Sequence, residues 1–474
     1  MIHSLDERIL SIGNIWGTMQ QERMDFGVLS RVSLPPVLVR NIPLCGIFPA
    51  RCRDPFHPCH PSISKMIRVR FAPSPTGIPH IGNTRTALFN FLFARHNNGK
   101  FILRIEDTDR TRFVKEAEKA IHEILEWLGL SWDEKYVQSE RINIYKKHAD
   151  YLLKKGLAYN DKRALRFKMP KTGETFWQDL VGNKRITFKN DTQEDFVILK
   201  SDGFPTYNLA SVIDDHLMNI TYVIRGEEFI SSTPKHVQLY KAFSWNQPFF
   251  AHLPIILGKD KGKLSKRQGA KSVLDYRNEG FLKEALLNFM SLLGWNPGED
   301  KEQMGLDEMI KLFKLEDINT ANPVFDPQKL EWLDGVWIRS IRDLKERLLK
   351  FYKDDHKVLK VLNSDKSKVW IDAARSRIKT LKDFRNLINI KKQRKYTKEE
   401  KQKAQILLKF LNLKLGDKWE DEKLLFTLKD FSSKEDTTFR KIYFLMTGKE
   451  QGIGILELNK IYGKEFFMKN LSDD

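Results

Sequence analysis

Pro79-His80-Ile81-Gly82-Asn83 puts an imidazole and a glycine where a turn-rich loop gives way to a helical pattern, a place where free backbone N–H groups and the helix dipole favour phosphate. Far along the chain, Lys263-Leu264-Ser265-Lys266-Arg267 stands in a loop that also contains Gly258, Gly262 and Gly269. Such a cationic segment can close over a triphosphate. It is not a P-loop: Gly258 and Gly262 stand one residue too close, and Lys263 is followed by Leu264 rather than Ser or Thr. Phosphates have to be held another way, by the helix start and the cationic loop acting together.

Elements that could bring these groups together are visible in the pattern. Ile67, Val69 and Phe71 alternate with Arg68 and Arg70, as in a strand with one buried face. The loop 73–79 follows, and His80 to Arg95 has helical spacing with Leu88, Phe91 and Leu92 on one face. A second apolar strand, Phe101–Ile105, delivers Glu106, Asp107, Thr108 and Asp109 at its C-terminal end, where open α/β sheets place their ligands. Val114, Ala117, Ile121, Ile124, Leu125 and Leu128 then repeat at helical spacing and stop at Gly129. This βαβα order predicts a parallel sheet. A mixed stretch covers about 138–200, Phe196–Leu199 and Thr221–Ile224 are expected to resume the sheet, and beyond 275 the chain turns mostly helical, with 282–293 one amphipathic run.

Composition bounds the classes of function. At 474 residues the chain exceeds what one core supports, and 41% hydrophobic with 30% charged residues fits a folded, water-soluble polypeptide. Arg31, Pro35, Pro36, Arg40 and Pro43 interrupt the one greasy stretch, so no membrane span is expected. Of the net charge of +19, residues 1–65 carry seven Lys/Arg against five Asp/Glu, which leaves +17 for 66–474. That excess suits a polyanionic partner, and equally a Lys-rich solvated surface. The basic block 391–398 carries the same two readings, an RNA-facing loop or a solvated helix end. Cys45, Cys52 and Cys59 all precede Met66, so the body has no thiol for a disulfide or a zinc site. Cys52, His57, Cys59 and His60 match no standard finger spacing. Residues 1–65 hold seven of the eighteen prolines and no sustained periodicity, with Asp6 and Glu7 too early for a typical transit peptide. They are expected to be an extension outside the body that Met66 opens.

The longer motifs narrow the field. His80-Ile81-Gly82-Asn83 and Lys263-Leu264-Ser265-Lys266 resemble the HIGH and KMSKS signatures of class I aminoacyl-tRNA synthetases. Arg70-Phe-Ala-Pro-Ser-Pro-Thr-Gly77, Arg85-Thr-Ala-Leu-Phe-Asn90, Arg104-Ile-Glu-Asp-Thr-Asp109, Lys200-Ser-Asp-Gly-Phe-Pro-Thr-Tyr207 and Phe325-Asp326-Pro327 resemble the bacterial-type glutamyl-tRNA synthetases. The resemblance runs from Met66 into the 330s. It implies ATP, Mg²⁺ bound with the ATP, L-glutamate and tRNA-Glu as reactants and partners, in a cytoplasmic monomer. Glutamate carries two carboxylates and an ammonium, so its pocket needs guanidinium forks and a counter-carboxylate. By the resemblance Arg70, Ala72, Ser74, Glu106, Tyr207, Ser211 and Arg225 bind glutamate, with Glu106 on the ammonium. His80, Lys263 and Lys266 are catalytic, and Pro73, Gly82, Asn83, Glu228, Ile256, Ser265, Lys266 and Arg267 flank ATP.

The same resemblance implies an α/β fold, with a Rossmann-like doubly wound parallel-sheet catalytic domain, an inserted acceptor-binding subdomain and a C-terminal all-helical anticodon-binding region. The expected segments are an extension at 1–65, the catalytic halves at 66–137 and 196–258, the insertion at 138–195, the KMSKS-type loop and stem-contact region at 259–339, and the helical domain at 340–474. Three departures stand out. Ser211 occupies a position where the family leads one to expect Asn; only Asn160 to Ala164 separate segments that in relatives flank a longer insertion; and the zinc ligands some relatives carry there are missing, so no zinc is expected in the body. The alternatives are an enzyme that also or instead glutamylates tRNA-Gln, and a catalytically inactive RNA-binding homologue.

Overall fold

The computed structural model describes residues 66–262, 264, 271–298, 301–389, 396–417 and 419–472. Expectations for residues 1–65, including the Cys52 to His60 cluster, lie outside the described residues, as do those for Lys263, Ser265, Lys266 and Arg267. Ten strands order the first half: β1 (Arg68–Phe71), β2 (Lys100–Ile105), β3 (Glu134–Val137), β4 (Ala158–Asp161), β5 (Ala164–Phe167), β6 (Glu174–Asp179), β7 (Lys184–Lys189), β8 (Phe196–Leu199), β9 (Tyr222–Gly226) and β10 (Phe249–Leu253).

β1, β2 and β3 form one parallel sheet, and β9, β10 and β6 run parallel in another that β7 closes antiparallel at its edge. The two meet at the start of β1, where the Arg68 amide donates to Thr221 Oγ1 and the Thr221 amide donates to the Arg68 carbonyl, each at 2.9 Å. The strand sequence across this seam is β3-β2-β1 followed by β9-β10-β6. Chain direction reverses its order of winding there, and the crevice beyond the C-terminal ends of β1 and β9 is where such sheets bind ligands.

Helices form where the pattern places them. Ile81–His96 is buried on most of its faces, including Leu88, Phe91 and Leu92. Lys115–Leu128 buries Ala117, Ile121, Ile124, Leu125 and Leu128 and stops at Gly129, whose φ of 77° a side chain would oppose. Val114 is not part of its apolar stripe; it caps the helix and is exposed.

One expectation fails. Phe196–Leu199 does not resume the parallel sheet; β8 pairs antiparallel with β5, which pairs with β4, in a separate three-stranded sheet. The apolar run alone could not choose a partner strand, because Phe196 and Ile198 bury equally well against Tyr145, Leu165 and Phe167 in that layer. Conversely the hairpin β6–β7, inside the mixed stretch, joins the parallel sheet through β10.

From Leu344 to Ser472 the described chain is helical around one core that includes Leu344, Trp370, Phe384, Leu411 and Phe467. Of the basic block, Lys398 begins the helix Lys398–Leu415 behind a capping box of Thr397 and Glu400, while 391–395 lie outside the described residues. No described helix is long and apolar enough to cross a membrane.

Candidate active site

Three buried arginines stand at the seam of the two sheets, and they differ in what holds them. Arg104, in the middle of an otherwise apolar β2, has no solvent exposure. Its Nε and Nη2 donate to Glu106 Oε1 at 3.2 and 2.9 Å, Nη1 donates to Asp215 Oδ1 at 2.6 Å, and Nη2 also reaches Ser211 Oγ at 3.2 Å. Every nitrogen of this guanidinium is consumed. Arg70, on β1, uses only Nε, at 3.0 Å from the same Asp215 Oδ1. Its Nη1 and Nη2 make no hydrogen bond to any described residue, so the fork that suits a carboxylate is open.

Arg225 is the next-to-last residue of β9 and is 4% exposed. Its donors meet neutral groups: Tyr207 Oη at 3.0 Å, Thr233 Oγ1 at 2.8 Å, His252 Nε2 at 3.2 Å and, more weakly, His236 Nδ1 at 3.4 Å. Among the described residues no carboxylate lies within ion-pair distance of it. A buried cation with only dipoles around it is stabilised most by an arriving anion.

Between the forks lies Glu106. Its Oε1 is taken by Arg104, while Oε2 has no hydrogen bond to a described residue. Burial raises its pKa above the usual carboxylate value, with Arg104 and Arg70 acting against the rise. Asp215, also buried, is held below the usual range: burial alone would raise it, and the two guanidinium groups of Arg104 and Arg70 together outweigh that. The loop after β1 is tied to this cluster because the Glu106 amide donates to the Pro73 carbonyl at 3.0 Å and the Val114 amide to the Pro75 carbonyl at 2.8 Å. Ala72, Pro73 and Ser74 therefore run alongside Glu106. Ser211 is brought to the cluster but stands behind it, fully buried, with Arg104 as its side-chain partner.

The helix start adjoins this pocket. His80 caps Ile81–His96, and its Nδ1 accepts from the Gly82 amide at 3.0 Å while Asn83 Oδ1 accepts from the His80 amide at 3.4 Å. The spacing H-x-G has a steric cause: a Cβ on Gly82 would stand 2.9 Å from His80 Cε1 and 3.1 Å from Nδ1, displacing the ring. The same position is 4.0 Å from Ile256 Cδ1, which brings that residue to the helix start. Glu228 folds its carboxylate back over Gly226 at the end of β9, and its neighbour Glu227 accepts from the Ile255 amide at 3.2 Å.

Both ends of the cationic loop return to this place. The Leu264 amide donates to the Ile256 carbonyl at 3.1 Å, and Ser272 forms an antiparallel bridge with His80. Lys263 and Lys266 lie outside the described residues, yet the chain on either side of them is pinned beside His80. The base of the loop is fixed by Lys259, which pairs with Asp326 at 3.0 Å, while Asp326 caps the helix Pro327–Ser340 through the Gln328 amide.

Two groups carry this architecture without having been singled out by sequence. Arg104 was visible as a charge inside an apolar strand, which demands buried acids nearby. Arg85 gave no such signal; it is buried without a carboxylate and donates to the carbonyls of Leu293 and Pro254, anchoring the segment that leads to Ile256. Its pKa falls to about 10 through burial.

Comparison with known proteins shows the family. Residues 66–164 and 160–332 match the family of class I tRNA synthetases (E and Q), catalytic domain, and residues 341–472 match an anticodon binding domain. The chain is 41% identical over 463 residues to a glutamate–tRNA ligase of Thermodesulfovibrio yellowstonii, covering 86% of this chain and 98% of that protein. A glutamate–tRNA ligase of Dehalococcoides mccartyi is 45% identical over 339 residues, 62% of this chain and 69% of that one. The crystal structure of a glutamate–tRNA synthetase from Elizabethkingia anophelis superposes with a TM-score of 0.75 at 32% identity, covering 86% of this chain and 99% of that chain. The chain belongs to the class I tRNA synthetases of the E and Q type, within the branch of the bacterial glutamate–tRNA ligases.

Proposed function

We propose that the chain joins L-glutamate to tRNA-Glu through a glutamyl-adenylate, with the amino acid held between the open fork of Arg70, the acid-free guanidinium of Arg225 and the vacant Oε2 of Glu106. The observation that carries the reading is this asymmetry: of three buried arginines in one crevice, one is saturated by acids and two are left for a ligand that bears two carboxylates and one ammonium. Tyr207 steadies Arg225, and Ala72, Ser74 and Ser211 bound the cavity directly or through Arg104.

In the first step an oxygen of the α-carboxylate attacks the α-phosphorus of ATP. The bond to the bridging oxygen breaks and pyrophosphate leaves with its electron pair. That carboxylate is already ionised near neutral pH, so no general base is needed and the work is positioning and charge stabilisation. Because His80 Nδ1 accepts from the Gly82 amide, a neutral His80 carries its proton on Nε2 and offers it to a phosphate oxygen. Lys263 and Lys266 supply cationic charge to the leaving pyrophosphate, with Ser265 and Arg267 beside them, and Pro73, Gly82, Asn83, Glu228 and Ile256 flank the nucleotide. Mg²⁺ arriving with ATP would add charge neutralisation at the phosphates, beside the donors that His80, Lys263 and Lys266 provide. In the second step a ribose hydroxyl at the tRNA 3′ end attacks the activated carbonyl and AMP departs.

The test is aminoacylation of purified tRNA-Glu and tRNA-Gln with labelled glutamate and glutamine. Glutamate on tRNA-Glu is expected; glutamate on tRNA-Gln as well broadens the RNA specificity. Charging with glutamine alone, or with neither amino acid, overturns the reading.

A further inference from the structure

We propose that Asp179 and His252 form a positioning pair that fixes the Arg225 guanidinium for the substrate carboxylate, so that the inserted hairpin contributes to amino-acid recognition. The inference rests on the reading of Arg225 as a glutamate-binding residue.

The hydrogen bonds favour one protonation pattern. Arg225 Nε donates to His252 Nε2 at 3.2 Å, and Thr233 Oγ1, 3.1 Å from the same nitrogen, already donates to the Phe229 carbonyl, so Nε2 serves as the acceptor of the Arg225 N–H. The ring proton then sits on Nδ1, which donates to Asp179 Oδ2. Asp179 is itself immobilised. Its Oδ1 accepts from the main-chain amides of Val181 at 3.2 Å and His252 at 3.1 Å, and its Oδ2 accepts from Trp177 Nε1 at 3.2 Å. All three residues are buried, at 2%, 4% and 4% exposure for Asp179, His252 and Arg225. A tautomer flip, which puts a proton on Nε2, would set N–H against N–H in a dry site, where it is most costly. Carboxylates that accept the outer N–H of metal-bound histidines orient those rings by the same logic, here applied to a guanidinium.

Asp179 is the last residue of β6 and sits in register with Phe250 of β10. It therefore comes from the hairpin Glu174–Lys189, not from the two βαβ halves that carry Arg70, Glu106 and Arg225. The orientation of the recognising arginine depends on how that hairpin docks. A purely structural role, welding β6 to β10, would also use these bonds, so the test has to separate the two.

Asp179→Asn, His252→Gln, His252→Phe and the double variant Asp179→Asn/His252→Gln are assayed by glutamate-dependent pyrophosphate exchange with tRNA-Glu present. An amide at 179 can donate to Nδ1 and so drive the proton to Nε2; the glutamate KM is expected to rise about tenfold or more while the ATP KM stays within about twofold. Gln at 252 places an amide oxygen near the Nε2 position without needing Asp179, so it should stay within about threefold of the unaltered chain and cancel most of the effect of Asp179→Asn. His252→Phe keeps the ring packing against Trp177 and Phe250 but has no acceptor, and should match Asp179→Asn. Should Asp179→Asn fail to fold, the contrast between His252→Gln and His252→Phe decides alone. Equal shifts in ATP and glutamate KM, full additivity in the double variant, or a His252→Phe enzyme with an unaltered glutamate KM overturns the inference. An unaltered chain with no glutamate-dependent exchange would instead sink the underlying reading.

Discussion

The charge cluster around Arg104 and the one around Arg225 stand in the same crevice and obey opposite rules. Arg104 shares its guanidinium with Glu106 and Asp215, and Asp214 lies 4.0 Å from its Nε. Asp214 in turn takes Gln138, Arg141 and Tyr145. There the guanidinium of Arg104 is fully occupied, and it holds acids and strands in place. Arg225 has dipoles only, and is poised for a charge the chain does not supply. Burial alone thus does not mark a binding residue, and neither does the lack of an acid, since Arg85 is spent on the carbonyls of Leu293 and Pro254; Arg225 differs in standing at the crevice with side-chain dipoles only. The sharpest way to break the comparison is to remove each arginine. Arg104→Met leaves three buried acids short of a cation and should cost about 3–5 kcal/mol of stability, measured by urea unfolding. Arg225→Met removes an uncompensated charge and should leave stability equal or higher, while kcat/KM for glutamate falls by about a hundredfold or more. Equal destabilisation by both would erase the distinction.

The nucleotide side provides the next test, because there a spacing rather than a charge is at stake. Gly82→Ala should push the His80 ring from its seat over the helix start, since a Cβ would stand 2.9 Å from its Cε1. The expected outcome is a fall in kcat of about tenfold with the glutamate KM unchanged, as for loss of one preorganised donor in part. A Gly82→Ala enzyme with normal kcat and a raised glutamate KM would place His80 on the wrong side of the crevice.

How much of this could be read from residues alone follows from which forces leave a local trace. The parallel β1–β2 pair and the helix ending at Gly129 were legible because alternation and helical spacing are local. The forks Arg70 and Arg225 and the carboxylate Glu106 were legible only through their motifs, since no local rule states that residues so far apart in sequence share a crevice. The partner of Phe196–Leu199 was not legible at all; strand pairing is decided by which apolar faces remain uncovered, a property of the whole layer. Asp179 and His252 escaped for the same reason. A lone aspartate at a strand end and a lone histidine in Phe249–Leu253 look like ordinary polar interruptions until β6 and β10 are side by side.

Glu106 turns the comparison into a titration. Its pKa is raised above the ordinary 4.5 by burial. A group raised in the fold binds more protons folded than unfolded, so the chain loses that part of its stability as pH rises from about 4.5 through the folded value. An ammonium on Oε2 favours the ionised form. Glutamate binding should therefore weaken as pH falls through the raised pKa, by up to about tenfold per pH unit below it, with the decline setting in above pH 4.5. Calorimetric titration of glutamate across that range reads the effect. Glu106→Gln should bind weakly with little pH dependence, and a pH profile identical to that of the unaltered chain would remove Glu106 from the ammonium site.

The smallest expected effect concerns the base of the loop. Asp326 caps the helix Pro327–Ser340 and pairs with Lys259, and its pKa is lowered first by that lysine. Both side chains are about half exposed, at 44% and 57%, so the ion pair itself contributes little and the cap dominates. Asp326→Ala should cost about 1 kcal/mol of stability, and Lys259→Ala within about 0.5 kcal/mol of nothing. If the pair also steadies the loop that carries Lys263 and Lys266, the two variants should share a second property that the cap does not explain: an ATP KM raised by about two- to threefold at unchanged glutamate KM. Steady-state kinetics in both substrates distinguishes these cases, because a cap acting alone changes unfolding and leaves both KM values where they were.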